Sequence, residues 1–208
     1  MTQERRGPMS ATELKAELNR RMAEDPDYRR QVEAEEARGA EESRILRVAQ
    51  QPIVADLAAI GIETDSVWNL YKIPESRPKA IPVLLDHLAR PYPDKVLIGM
   101  GVALDDKSAR AWWPELKALY LNTSNATVRD RLAAALSGVA TKVHYDDLLS
   151  FLADESLGET RIYFLRPVNR IGNRMASGKG RRVIEELAAD PLFEEEAKAI
   201  LAGRSRSE

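Results

Sequence analysis

Apolar residues return along the middle of this chain at a fixed step of 32 positions. Aligned without gaps, Val96, Val128 and Thr160 share a column, followed by Met100, Leu132 and Phe164, and by Leu104, Leu136 and Val168. The segments before these obey the same step: Ile81, Trp113 and Tyr145; Leu84, Leu116 and Leu148; Leu88, Tyr120 and Leu152. Thr160 is the one polar member of these columns. Within each copy the apolar positions lie three or four apart, the spacing of one helix face. A repeated helix pair that buries its apolar face against its neighbours is the pattern of a solenoid. No stretch alternates apolar and polar residues over strand length, so the expected class is all-α.

Taken in order, the pattern predicts a short helix capped by Thr12 and carrying Leu14, Leu18 and Met22, which stops at Asp25-Pro26. A second helix starts there and runs from Pro26 to about Gln50. Its middle, EAEEARGAEES, has no apolar stripe, which fits either a solvated helix or an arm awaiting a partner. Gln51-Pro52 opens a helix with Ile53, Leu57 and Ile60 on one face and Gly61 as its stop, and Ser66 caps a brief helix over Val67–Tyr71. Three regular pairs follow: Pro78–Arg90 with Lys95–Asp105, Ala111–Leu121 with Thr127–Val139, and Tyr145–Asp154 with Glu159–Ile171. Pro167 inside the last of these is expected to kink it or to remove a hydrogen bond. Gly172–Gly180 reads as a flexible loop, and Arg181–Ala189 with Leu192–Leu201 closes the array. The domain division expected is a charged tail and helical arm over 1–50, a repeat domain over 51–202, and a polar tail over 203–208.

Composition narrows the function classes. The 208 residues are 44% apolar and 31% charged, ordinary for a soluble chain, though charge-rich. With no cysteine, neither disulfides nor thiolate metal sites are available, and a reducing cytoplasm is the expected location. The first residues lack the apolar core of a signal peptide, and no apolar run is long enough for a membrane span, so no membrane partner is expected. The net charge of −2 is unevenly spread. Residues 158–182 hold seven Lys/Arg against Glu159 alone, a basic block inside an acidic chain.

The second helix of the clearest copy contains Val128, Arg129, Leu132, Ala133, Ala135, Leu136 and Ser137. This resembles the V-R-x-x-[AL]-A-x-A-L-[GS] signature of HEAT repeats, and with its 32-residue step the short PBS-lyase HEAT-like variant. The likeness covers roughly residues 78–190. It implies a right-handed α-solenoid of HEAT-like helix pairs whose second helices line a concave face. It says little of function, since such repeats serve as scaffolds, lyase subunits, transport receptors and, rarely, DNA-repair enzymes. Further upstream, Glu13-Leu14, Glu17-Leu18 and Asp25-Pro26-Asp27-Tyr28 loosely resemble leader segments of some bacterial antitoxins. No helix-turn-helix follows them.

Candidate chemistry concentrates in the basic block. Arg166, Arg170 and Arg174 are spaced i, i+4, i+8 and share a helix face, with Arg161 before them and Arg181 and Arg182 after. Asn169 adds neutral hydrogen-bonding capacity, and Arg129 and Arg131 extend the track from the preceding repeat. Guanidinium forks suit carboxylates or phosphates, which take two bonds at once. The same arginines could instead pair with acids of neighbouring repeats, such as Asp130, Asp154 and Glu155. Only His87 and His144 are available as histidines, and nothing in their spacing makes a metal site. Trp113 belongs to a core column, Gly99 and Gly101 read as close-packing positions, and Asp105-Asp106 and Asp146-Asp147 read as helix caps. No catalytic constellation, P-loop or dinucleotide fingerprint is present.

The expectation is therefore a non-enzymatic, cofactor-free scaffold or adaptor that binds a protein or acidic peptide along an arginine-lined surface. The alternatives are a nucleic-acid-binding repeat protein, with or without repair chemistry, and an antitoxin- or immunity-like neutraliser acting through the arm. The arm would also allow a homodimer.

Overall fold

The computed structural model describes residues 9–203, which are helical with no strand among them. The protein is all-α over this range. It divides into two compact units, Met1–Val48 and Ala49–Glu208. Among the described residues no helix is long and apolar enough to cross a membrane.

The first unit is two helices joined at one residue. α1 (Ala11–Glu24) starts from Ser10 rather than Thr12, because Ser10 and Glu13 form a reciprocal capping box. Asp25 then caps α2 (Pro26–Ala49), accepting from the backbone N–H groups of Asp27 and Tyr28 at 3.0 Å. Arg29 returns across the joint to donate to the Met22 and Ala23 carbonyls, and Arg21 stacks 4.3 Å over the Tyr28 ring. Neither helix has a buried residue, as the missing stripe predicts for α2.

The second unit begins with α3 (Gln51–Ala59). Ile53 and Leu57 are buried, but Ile60 is exposed and Ile62 takes its place inside, because the chain turns at Gly61 with φ of 81°. The brief helix after Ser66 is a 3₁₀ segment, Val67–Lys72. Next come α4 (Arg77–Leu88), α5 (Asp94–Ala103), α6 (Trp113–Asn122), α7 (Ala126–Val139), α8 (Tyr145–Ala153) and α9 (Leu165–Met175). α10 (Lys179–Leu187) and α11 (Glu194–Leu201) complete the unit. Short 3₁₀ helices, Lys107–Trp112 and Lys142–His144, precede α6 and α8.

The 32-residue columns form the core. Every apolar member is buried, and Thr160 is half-buried with its hydroxyl 2.9 Å from Tyr120 Oη and donating to the Leu157 carbonyl. The polar member of the columns is thus a satisfied one. At the centre Phe151 and Phe164 lie 4.9 Å apart, and Tyr120 meets both edge-on at 5.3 and 5.6 Å. Edge-to-face geometry suits the ring quadrupoles and ties α6, α8 and the segment before α9 together.

Two predicted features of the last repeat are corrected. The second helix of that repeat is 3₁₀ over Glu155–Phe164, broken at Gly158 with φ of 61°, and becomes α only from Leu165. Pro167 therefore sits in the first turn of α9, where its missing N–H has no intrahelical acceptor to lose, and it starts the helix rather than kinking it. Gly172–Gly180 is not a loop, since Gly172 lies within α9 and Gly180 within α10. Only Ala176–Gly178 connects the helices, with Gly178 at φ of 72°. The outer glycines let the two helices touch: a Cβ on Gly180 would fall 2.3 Å from the Asn169 carbonyl oxygen.

Candidate binding surface

The sequence-predicted arginines do not form one track. Arg129 on α7 donates to the Thr123 carbonyl at the start of its own helix, and its buried Nε has no hydrogen-bond partner in the described structure. Arg131 pairs with its neighbour Asp130, whose other oxygen accepts from Tyr163 Oη at 2.8 Å. The stem of Arg131 also packs over Gly101: a Cβ there would come within 2.3 Å of Arg131 Cβ, which is the close packing expected of that glycine. Arg161, with a side chain only 12% exposed, donates to the Gly158 and Leu152 carbonyls and lies 5.0 Å over the Phe193 ring. Arg166 on α9 bonds Glu196 of α11 at 2.5 Å. These four arginines join elements of the fold.

The later residues divide again. Asn169 accepts from Asn173, which in turn accepts the backbone N–H of Arg181, and the Arg181 side chain pairs with Glu185. Arg170, Arg174 and Arg182 are exposed and have no ion pair among the described residues. Arg170 and Arg174 face a cleft of about 710 Å³, together with three cations that local charge density did not single out: Lys107, Arg110 and Lys142. Lys107 and Arg110 come from the 3₁₀ turn before α6, and Lys142 from the turn before α8.

A signal for Arg110 and Lys142 was present in the sequence. Arg110, Lys142 and Arg174 follow the 32-residue step, so one polar column of the repeat is cationic in three successive copies.

Among the described residues no carboxylate lines the cleft. Two acids precede Lys107 in the chain. Asp106 accepts from Ser108 and lies 3.8 Å from Arg77, and its carboxyl is held below the usual range chiefly by the Ser108 bonds. Asp105 approaches only at the edge, where a Cβ on Gly138 would be 3.0 Å from its Oδ1. Arg110 gives its Nε–H to the Val139 carbonyl at 3.0 Å, which fixes the side chain and leaves the other guanidinium donors for the cleft. Five cations against one marginal acid leave a site that favours anions.

The turn carrying Lys142 is held by aromatic and polar contacts. His144 stacks on Trp113 with ring centroids 3.8 Å apart and planes within 4°, and its Nδ1 accepts the Thr141 N–H at 3.2 Å. Trp113 Nε1 donates to Asp147 at 2.8 Å, and Lys117 pairs with the same carboxylate. Burial pushes Asp147 up, yet these donors outweigh it and its carboxyl lies below the usual range. Asp147 is therefore more than the helix-start acid expected from sequence.

Burial also depresses His144 below the ordinary imidazole range, with Asp147 opposing and Arg110 adding to the depression. A group whose folded pKa lies below its unfolded value near 6.5 stabilises the protein above that pH and loses this contribution as pH falls. Urea unfolding followed between pH 7.5 and 5 should show stability declining with acidification, and His144→Gln should flatten the decline. An unchanged slope in the variant would show that His144 does not carry it.

The other histidine is structural. Buried His87 places Nδ1 2.7 Å from Tyr92 Oη and Nε2 2.8 Å from Asp56, joining α4 to α3 and to the following loop. Among the described residues no group of three or more His, Asp or Glu side chains is placed to hold a metal ion.

The chain matches no family model, no curated protein and no solved structure.

Proposed function

We propose that the protein is a non-enzymatic binding module, a right-handed α-solenoid of HEAT-like helix pairs that holds an acidic segment of a partner protein. The observation that supports the reading is the cleft of five cations with no lining carboxylate among the described residues. The HEAT-like likeness of Val128–Ser137 and the burial of all the apolar repeat columns support the solenoid part of it.

The binding surface is centred on Arg170 and Arg174 with Lys107, Arg110 and Lys142, and the bridged residues Arg129, Arg131, Arg161 and Arg166 shape the scaffold around it. Fluorescence anisotropy with a labelled Glu-rich peptide of about a dozen residues at low salt is the direct test. Binding should weaken as salt rises, because exposed charges are screened beyond roughly 10 Å at 0.1 M. Reversing both charges, Arg170→Glu with Arg174→Glu, should weaken it about tenfold or more, worth at least ~1.4 kcal/mol. Neither side chain makes an ion pair within the described structure, so the melting temperature should hold. Equal binding by the double variant would place the site elsewhere.

A further inference from the structure

The cleft that carries the proposed function is not purely ionic. Between its cations lie Ala140, Ile171 and Met175, and the last of these is 46% exposed. Val143, next in sequence to Lys142, is 76% exposed, the most exposed of the large apolar residues described. Val143 lies outside the cleft lining; within it Ala140 and Ile171 are buried and form a floor, and Met175 stands out from that floor among cations that make no ion pair within the described structure. Lysine and arginine rims around an aliphatic floor match a ligand that is anionic at its edges and apolar at its centre.

We infer that the occupant is an acidic peptide segment that seats an aliphatic side chain against Ile171 and Met175 while its flanking carboxylates reach the cation column Arg110, Lys142 and Arg174. This rests on the reading of the cleft as an acidic-segment site and specifies what that segment carries between its acids. The column gives the direction: cations one repeat apart offer successive anchor points for a chain running from one helix pair to the next. Arg170, on the same helix as Arg174, offers a further fork beside the floor. Methionine suits the role, since its unbranched, polarisable side chain adapts to differing aliphatic shapes.

A nucleic acid fits the floor less well. Single-strand binders supply aromatic platforms on which bases stack. Among the described residues no aromatic side chain lines this cleft, and the Trp113 ring is buried against His144.

Anisotropy with three labelled peptides of equal length tests the inference: a Glu-rich peptide with a central Leu, the same peptide with that Leu replaced by Ser, and the Leu peptide with every Glu replaced by Gln. The Leu-containing acidic peptide should bind about tenfold more tightly than the Ser version, in line with partial burial of one leucine. Met175→Ser should remove most of that advantage and leave the Ser peptide unaffected, a coupling that a general loss of stability would not produce. The Gln peptide should bind more weakly than either.

Equal affinity for the Leu and Ser peptides would overturn the inference and leave the acidic-segment reading standing. Failure of both acidic peptides to bind would overturn that reading and the inference together. Displacement of the Leu peptide by a single-stranded oligonucleotide at equal or lower concentration would also overturn both, in favour of phosphate recognition.

Discussion

Replacing Phe164 with alanine should lower the unfolding free energy of the repeat unit by about 3–5 kcal/mol, measured by urea denaturation. The ring is fully buried, lies 4.9 Å from Phe151, and takes the edge of Tyr120 at 5.6 Å. Truncation removes its transfer energy, leaves a cavity, and strips two aromatic contacts that are each worth about 0.5–1.5 kcal/mol. The loss should be near the upper end because the site cannot readily collapse. Tyr120 is anchored through its hydroxyl to Thr160, and Phe151 is held within α8. Phe164→Leu keeps much of the volume and should cost appreciably less than alanine. A loss under about 1 kcal/mol for the alanine variant would mean that this cluster is not the centre of the core.

Gly180→Ala should be the second most damaging single change, at about 3 kcal/mol for one added methyl group. Its Cβ would meet backbone, not a flexible side chain: Asn169 O at 2.3 Å, Cα at 2.7 Å and carbonyl carbon at 2.8 Å. Relief requires α10 to move away from α9. Gly172 faces the same contact, with its own Cβ falling 2.7 Å from Gly180 backbone atoms and 2.6 Å from Tyr145 Oη. Once the helices have separated, the second methyl should add less than its individual cost. The Gly172→Ala, Gly180→Ala pair should therefore fall short of additivity by more than the ~0.5 kcal/mol seen for independent sites. Thermal melts of the two single variants and the double variant decide it. Additive losses would show that the glycines act independently.

How much of this was legible beforehand depended on whether the information was periodic. The columns from Ile81 to Val168 identified the buried residues because helix packing repeats the same demand every 32 positions. The 3₁₀ stretch before α9 and the start at Pro167 were not visible, since they depend on where one helix yields to the next within a copy. The Gly172–Gly180 segment misled for a related reason: glycine in sequence marks either freedom or close approach, and only the neighbouring helix distinguishes them. The arginines divided for the same kind of cause. Local density made residues 158–182 look like a single surface. Glu196, however, reaches Arg166 from 30 positions away and Phe193 covers Arg161 from 32. Arg110 and Lys142 lie in locally unremarkable stretches and form a group with Arg174 only when copies 32 residues apart are aligned, and Lys107 joins them only through the fold.

Placing Arg110, Lys142 and Arg174 on the packing period has an evolutionary consequence. The hydrophobic columns and the cation column share one unit of inheritance, so duplicating 32 residues would lengthen the core and add a charge in register with the existing three. Single-base changes at Lys142 or Arg174 can meanwhile alter a rung's charge without touching the hydrophobic columns, whereas Arg110 also holds the Val139 carbonyl. On the proposed function, such a chain would change the reach of its contact surface by whole copies and its selectivity by single residues.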